Sequence, residues 1–289
     1  MSTAMSSGVE HIIWREYRRL GMWNTTDAGV WGNHHAVYPR VVGDRFYSEV
    51  LYVPAGQGTS VRTVESTTVL SGIEGSVVVE IGDSRFKLNA FDMLVLPRAS
   101  RYRALNEQFD GALVLSVVGE SDGAKDVDED LDMPTLIDWA SSQRLFHRNL
   151  PLADVWGFHR SPGPVTRSNV LRGHMNRMPA GQTSPWHGVP RGLLFLQLAG
   201  ELELACGGGT WPLSPRDMLY IPPNVPYSYS NFGMSESVFL DIGAPPLRAG
   251  LSTVYYESDP GWPVRDDAVV MFTRSNGVTT KIERAKTRG

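Results

Sequence analysis

Cysteine is nearly absent from this chain of 289 residues, in which Cys206 is the single example. One thiol cannot form an internal disulfide, and this suits a reducing cytoplasm. Cys206 lies in the sequence Ala-Cys-Gly-Gly-Gly, which predicts a hairpin tip. We therefore interpret it as an incidental residue and not as a nucleophile.

The chain also lacks an excess of positive charge and any long apolar run. Its formal net charge is −4 at pH 7, which gives no electrostatic reason to expect nucleic acid or anionic membrane as the main partner. No stretch approaches a membrane span, and residues 1–10 lack the basic and apolar regions of a signal peptide. We expect a cytoplasmic protein whose partner is a small molecule.

Glycine and proline, by contrast, are abundant, with 29 and 19 residues. They separate short apolar segments at close, regular spacing, without the strand–helix alternation of a parallel sheet. This pattern predicts an all-β sandwich or barrel. The predicted strands are 45–53, 67–70, 76–81, 86–88, 93–96 and 112–118, and then 170–178, 193–198, 201–205, 211–213, 218–221 and 237–242.

The sequence repeats itself at an offset of 125 residues. Val30 corresponds to Val155, and one register continues without a gap to at least Leu115 and Leu240. Such an internal repeat indicates two copies of one unit. The predicted organisation is an N-terminal extension (1–29), a first domain (30–119), an acidic linker with a short helix at 135–146 (120–150), a second domain (151–245) and a C-terminal extension (246–289).

Two motifs recur in both copies at the same spacing. The first begins at a Pro-x-Gly turn and closes on a glycine, and the second consists of an aspartate, a proline, a tyrosine and an asparagine. Their positions are Pro54, Gly75, Asp92, Pro97, Tyr102 and Asn106, and then Pro179, Gly200, Asp217, Pro222, Tyr227 and Asn231. The chain thereby resembles a bicupin of the cupin superfamily. The resemblance implies two tandem jelly-roll barrels (double-stranded β-helices) joined by a short helical linker, and a homodimer, since cupins often form dimers.

The sequence departs from the cupin pattern at glycines and at metal ligands. Phe91 and Arg216 replace the glycine before the aspartate, and Ala99 and Asn224 replace the later one. Metal-binding cupins use His-x-His, a glutamate and a later histidine, and His187 alone keeps such a residue. The eight positions hold Arg62, Val64, Thr68 and Tyr102 in the first copy and His187, Val189, Leu193 and Tyr227 in the second. A metal site needs about three imidazole or carboxylate ligands, so we predict no cofactor. A divalent metal held by His187, His174 and a carboxylate is the alternative.

The resemblance places His187 and Tyr227 together inside the second barrel. An imidazole can accept a proton near neutral pH, and a phenol can donate one. Metal-free sugar epimerases of the cupin superfamily use a histidine base and a tyrosine acid, so the likeness implies this pair as the catalytic residues. Asp241 could orient the imidazole. The alternative is a packing tyrosine and a loop histidine.

Substrate-binding residues are predicted on strand 170–178, which precedes the Pro-x-Gly turn of the second copy. Arg172, His174 and Asn176 alternate along it and therefore share one face; facing inward, they suit a carboxylate or phosphate, and facing outward, they form a solvated surface. Trp186 is a candidate pocket wall. In the first barrel, Arg62 and Tyr102 converge in the same way, with a structural or anion-binding role.

Three functions follow from these residues. The leading hypothesis is a small-molecule enzyme (isomerase, cyclase or lyase) that works by metal-independent acid–base chemistry in the second barrel. The second is a metal-dependent bicupin dioxygenase, against which the missing ligands argue. The third is a ligand-binding or scaffold protein without catalysis, which the loss of both ligand sets favours.

Overall fold

The structure is a computed structural model that describes residues 8–16, 24–25, 36–37, 41–43, 45–120, 133–142, 161–167, 170–244, 253–275 and 278–281. Strands dominate these ranges, and a short helix covers Trp139–Ser142. No helix in the described part of the chain has the length and apolar character needed to cross a membrane.

The strands are numbered in chain order. The first half contains β1 (Glu10–Ile12), β2 (Asn24–Thr25), β3 (Ala36–Val37), β4 (Val41–Val42), β5 (Phe46–Val53), β6 (Arg62–Thr63), β7 (Thr68–Glu74), β8 (Ser76–Ile81), β9 (Ser84–Asn89), β10 (Met93–Leu96), β11 (Arg101–Leu105), β12 (Ala112–Gly119) and β13 (Thr135–Ile137). The second half contains β14 (Ser161–Arg167), β15 (Arg172–Met178), β16 (Gln182–Thr183), β17 (His187–Gly188), β18 (Gly192–Ala199), β19 (Leu202–Cys206), β20 (Gly209–Leu213), β21 (Met218–Ile221), β22 (Tyr227–Asn231), β23 (Ser237–Ala244), β24 (Thr253–Tyr256), β25 (Val270–Ser275) and β26 (Val278–Lys281).

Each half forms a jelly roll from a large and a small sheet. In barrel one, the large sheet has the order β13-β10-β7-β12-β5-β3-β2 and the small sheet the order β6-β11-β8-β9. In barrel two, the equivalent of the large sheet has the order β1-β21-β18-β23-β15-β14. The equivalent of the small sheet has the order β20-β19-β22-β17-β24-β25-β26, in which the last three strands are an extension. The predicted all-β fold of two tandem barrels is thus confirmed.

The two large sheets pack against each other and also line their own barrels. Strand β18 shows how its sequence serves both faces: Leu194 and Leu196 belong to the core shared by the two barrels, while Leu193 and Phe195 belong to the interior of barrel two. Successive side chains of a strand point to opposite faces. A strand covered on both faces therefore needs a continuous apolar run, and each fully buried leucine or phenylalanine contributes about 1.5–3 kcal/mol.

A short strand from outside each barrel completes the large sheet of the other half. Strand β1 precedes barrel one but pairs with β21 of barrel two, and β13 precedes barrel two but pairs with β10 of barrel one. The carboxylate of Asp217 accepts a hydrogen bond from the backbone N–H of Trp14 at 2.8 Å. Asp92 accepts the equivalent bond from Trp139, also at 2.8 Å. The motif aspartates therefore tie the two halves together.

This exchange corrects two sequence predictions. The N-terminal segment was predicted to lie outside the repeat, but Ile12 and Trp14 correspond in structure to Ile137 and Trp139 at the same offset. A helix was predicted over 135–146, whereas β13 occupies the first three of these residues and the described helix is Trp139–Ser142. Pairing decides the matter, because β13 satisfies backbone groups that β10 would otherwise expose at a sheet edge.

Most predicted strands are present, and β8, β10 and β21 have the predicted bounds. Strands β11 and β22 were missed, although they carry Tyr102 and Tyr227. Their sequences mix polar and aromatic residues and lack an apolar run. The strand-like C-terminal segments form β24 and β25, which extend the small sheet of barrel two.

Four non-glycine residues have a left-handed backbone at the positions where the cupin motif has glycine. Their φ angles are 73° at Phe91, 67° at Ala99, 80° at Arg216 and 64° at Asn224. The turn geometry has been kept while the glycine has been lost. A left-handed conformation costs an L-residue about 1–2 kcal/mol, with asparagine tolerated best.

Replacing Asp217 tests the exchange between the halves. In Asp217→Ala, the backbone N–H groups of Trp14 and Ser214 lose their acceptor. We expect the free energy of unfolding to fall by about 2–4 kcal/mol, measured by urea denaturation. Asp267→Ala is the control, because that side chain is 86% exposed; it should change stability by less than about 0.5 kcal/mol. Equal effects would contradict a tying role for Asp217.

Replacing Ala99 with glycine tests the strained turn. Ala99→Gly should raise the free energy of unfolding by about 1 kcal/mol, because glycine adopts the φ of 67° without steric cost. The same substitution at Ala104, which is buried in β11, should instead destabilise the protein. Thermal unfolding of both variants measures the difference, and a destabilised Ala99→Gly variant would refute the strain.

Candidate functional site

His187 lies on the two-residue strand β17, between β22 and β24. Its backbone is in register with Tyr227 on one side and Tyr255 on the other. The side chain is buried, with 6% of its surface exposed. Strand β24, which belongs to the C-terminal extension outside the repeat, thus completes the wall around this histidine.

Aromatic rings surround His187. Its ring centroid lies 4.2 Å from that of Tyr227 and 5.3 Å from that of Tyr255, with which it is stacked. Tyr229 follows at 6.0 Å, and Phe195 contacts Tyr227 at 5.6 Å. Water is thereby excluded from much of the imidazole, and charges that form beside it are screened less than at the surface.

The hydrogen bond of His187 assigns its tautomer. Nδ1 lies 2.8 Å from the carbonyl oxygen of Pro185, and a carbonyl can only accept, so Nδ1 carries the proton. In the neutral imidazole, the lone pair is then on Nε2. Trp186 lies between these residues; it is half-buried, and its carbonyl accepts a hydrogen bond from the backbone of Tyr256 at 2.9 Å.

Side chains of β15, the predicted substrate-binding strand, point into barrel two and contact Asp241 on β23. Asn176 is fully buried and donates through Nδ2 to Asp241 Oδ2 at 2.9 Å. His174 Nδ1 lies 3.8 Å from Asp241 Oδ1. Asp241, the candidate partner for His187, thus contacts two side chains of β15. Arg172 occupies the start of the same strand.

Arg191 is the residue that sequence reasoning missed. It precedes β18 and is buried, with 6% of its surface exposed. Burial lowers the pKa of Arg191, Asp241 and Tyr227 act in the opposite direction, and Arg172 adds to the lowering. The charge of the guanidinium interacts with Asp241, Tyr227 and Arg172. We call the group Arg172, His174, Asn176, Arg191 and Asp241 the barrel-two polar cluster.

A signal for Arg191 existed in the repeat itself. The equivalent residue of the first copy is Ser66, so an arginine replaces a small hydroxyl between the two copies. This position is not one of the cupin motif positions at which the two copies are compared above. A difference in charge between copies outside the motifs carries the same kind of information.

Barrel one is filled by its own side chains. Arg62 Nη2 donates to Glu49 Oε2 at 3.2 Å, and Arg62 is in register with Tyr102. Burial alone would lower the pKa of Arg62, but Tyr102 and Glu49 outweigh it and raise the pKa. Burial raises the pKa of Tyr102 against the opposing effect of Arg62. The cavity beside them measures about 50 Å³, which holds a few water molecules at most.

The residues present do not fit a cupin metal. Across the described ranges, no three His, Cys, Asp or Glu side chains are grouped so that they could hold a metal ion. His187 contacts tyrosines, whereas His174 contacts Asp241, so these two histidines belong to different surroundings. Cys206 is buried in the β19–β20 hairpin, and burial raises the pKa of its thiol to about 12, which leaves it protonated.

Comparisons with known proteins agree with this architecture. Residues 174–243 match the cupin domain family. The structure is similar to salicylate 1,2-dioxygenase from Pseudaminobacter salicylatoxidans, at 13% identity and a TM-score of 0.64, over 88% of this chain and 91% of that one. A mutant of that enzyme in complex with gentisate is similar at 14% identity and a TM-score of 0.64, over 86% and 85% of the chains.

AerE from Microcystis aeruginosa is similar at 12% identity and a TM-score of 0.59, over 77% of this chain and 97% of that one. No curated protein matches the sequence significantly. The second barrel matches the cupin domain family, and the whole chain has the fold of two tandem cupin barrels. At these identities, the solved structures establish the fold and leave the activity to the residues of the site.

The Glu49–Arg62 pair leads to a prediction about the stability of barrel one. Glu49→Gln removes the carboxylate that compensates the partly buried guanidinium, so we expect the free energy of unfolding to fall by about 1 kcal/mol in urea denaturation. Glu107→Gln is the control, because Glu107 pairs with Arg85 where both side chains are about half exposed; its effect should stay below about 0.5 kcal/mol. Equal stability of the two variants would refute a structural role for the pair.

Proposed function

We propose that the chain is a small-molecule enzyme that works by metal-independent acid–base chemistry in barrel two. His187 is the general base and Tyr227 the general acid. The reaction class is isomerisation, cyclisation, or a dehydration or other lyase step, each of which removes a proton from one position of the substrate and delivers a proton to another position or to a leaving group. The observation that carries this proposal is the buried His187–Tyr227 pair, with ring centroids 4.2 Å apart.

His187 has the properties of a base. Its Nδ1–H is held by the carbonyl of Pro185, so Nε2 is the nitrogen that takes a proton from substrate. The stacked ring of Tyr255 fixes the plane of the imidazole. An orientation fixed before the substrate arrives reduces the entropy that must be lost in the reaction.

Tyr227 has the properties of an acid. Its hydroxyl can donate a proton or stabilise an oxyanion, and the charge of Arg191 acts favourably on negative charge at its oxygen. The surroundings are the apolar core of barrel two, which includes Phe195 and Tyr229. Few water dipoles are there to screen this interaction, so it is stronger than in solution.

The substrate is proposed to contact Arg172, His174 and Asn176 through a polar group and Trp186 through an apolar one. Arg62 and Tyr102 lie in barrel one and interact with each other and with Glu49, so we assign them to the structure of that barrel. A cytoplasmic location and a homodimer remain predictions from the sequence.

A metal-dependent dioxygenase is the second candidate, favoured by the similarity to salicylate 1,2-dioxygenase. The donor set argues against it, because His187 is the one cupin ligand position with a ligand residue. Elemental analysis of protein purified without chelator tests this candidate. Near-stoichiometric metal that is lost in His187→Ala would establish it and overturn the metal-independent proposal.

Substitution of the pair tests the acid–base mechanism. A set of keto acids and cyclic enones is incubated in D2O, and isomerisation or proton exchange is followed by ¹H NMR. We expect His187→Asn and Tyr227→Phe each to lower the rate by about 10²–10⁴-fold, which is the usual contribution of a general base or acid. Circular dichroism of each variant should remain that of the native protein.

Tyr52→Phe is the matched control, because Tyr52 lies on β5 of barrel one and packs over Gly111. It should leave the rate unchanged. Full activity in both His187→Asn and Tyr227→Phe would refute the pair. Ligand binding without turnover of any compound would instead support a binding protein.

A further inference from the structure

Arg191 is buried without full compensation. It is 6% exposed, and within the described part of the chain its Nε and Nη1 atoms have no hydrogen-bond partner. A buried charge is normally paired and hydrogen-bonded, because the lost hydration is otherwise not replaced. Folding by itself therefore does not favour an arginine at this position, and an acceptor from outside the chain would satisfy it.

The charges around Arg191 favour an anion as that acceptor. Among the described residues that act electrostatically on it, Asp241 is the one carboxylate, and Arg172 is a second guanidinium. Asp241 also accepts the hydrogen bond of Asn176. A guanidinium keeps its proton throughout the physiological range, so Arg191 remains a cation whose Nε and Nη1 donors match an anionic acceptor.

The backbone of β23 leaves room for the arginine. A Cβ atom at Gly243 would lie 2.8 Å from Arg191 Nε, closer than real Cβ atoms approach. A glycine is therefore needed at this point of β23 for the guanidinium to lie inside the barrel. The guanidinium charge interacts favourably with negative charge on Tyr227, which is in register with His187.

We propose that Arg191 anchors the carboxylate of a carboxylic acid bound in barrel two and so positions that molecule against His187 and Tyr227. The planar guanidinium fork matches the two oxygens of a carboxylate. Arg191 is a positioning residue in this arrangement. The inference rests on the proposed function for its reaction, but binding of the carboxylate requires no turnover.

Calorimetric titration with acetate, benzoate, benzyl alcohol and inorganic phosphate tests the anchor. We expect the wild type to bind acetate or benzoate at least 10-fold more tightly than benzyl alcohol, and Arg191→Met to lose this preference. Arg177→Met is the control, because Arg177 lies on β15 and pairs with Glu236 at the surface; it should bind as the wild type does. Binding of phosphate alone, or equal binding by Arg191→Met and the wild type, would overturn the proposal.

Thermal unfolding without ligand gives a second readout that a structural arginine would not produce. Removing an uncompensated buried charge should raise the melting temperature of Arg191→Met by about 2–4 °C. Arg62→Met should lower it, because Glu49 loses its partner. A lower melting temperature in Arg191→Met would mean that the arginine is a structural group.

The two proposals fail in different ways. If His187→Asn keeps its activity while Arg191→Met loses the preference for carboxylates, the anchor stands and the catalytic pair falls. If Arg191→Met turns over a carboxylate substrate with unchanged KM and kcat, the anchor falls while the pair stands. A raised KM that accompanies the lost preference supports both.

Discussion

The rest of the structure depends on the packing of the two large sheets against each other. This shared core contains residues of both barrels together with Ile12 and Trp14 from the segment before barrel one. Strand β1, which precedes barrel one, belongs to the large sheet of barrel two, and β13, which precedes barrel two, belongs to the large sheet of barrel one. Neither large sheet is therefore complete without a strand from the segment that precedes the other barrel. The halves are therefore expected to stabilise each other and not to act as independent units. Among the described residues, the small sheets contribute none to this shared core. The polar side chains inside each barrel lie between its small and its large sheet.

The two barrels have the same fold but contain different polar side chains. Barrel one compensates its buried Arg62 with Glu49 and leaves a cavity of about 50 Å³. Barrel two contains a histidine among tyrosines and, in Arg191, a guanidinium with unsatisfied donors. A compensated charge serves stability, while an uncompensated one is kept at a cost that function can explain. This contrast is why we assign activity to the second copy.

The motif residues themselves are structural in this chain. Asn106 and Asn231, both buried, bond to the backbone at equivalent places in each copy. The aspartates hold the exchanged segments. The positions that cupins use for metal have changed, whereas those that shape turns keep their geometry even where glycine has been lost, as at Ala99.

The sequence by itself determined the repeat, the all-β class and the bounds of strands such as β10, because these follow from local apolar runs and from a register kept over many residues. The pairing of His187 with Tyr227 was implied by the resemblance of the motifs to those of cupins. The tertiary structure alone decided the exchange of β1 and β13, the contact of Tyr255 with His187 and the burial of Arg191. Each of these depends on which distant strand forms the neighbouring edge, and a local pattern contains no information about that. A short strand and a single arginine have no periodicity, so only the completed barrel shows what they contact.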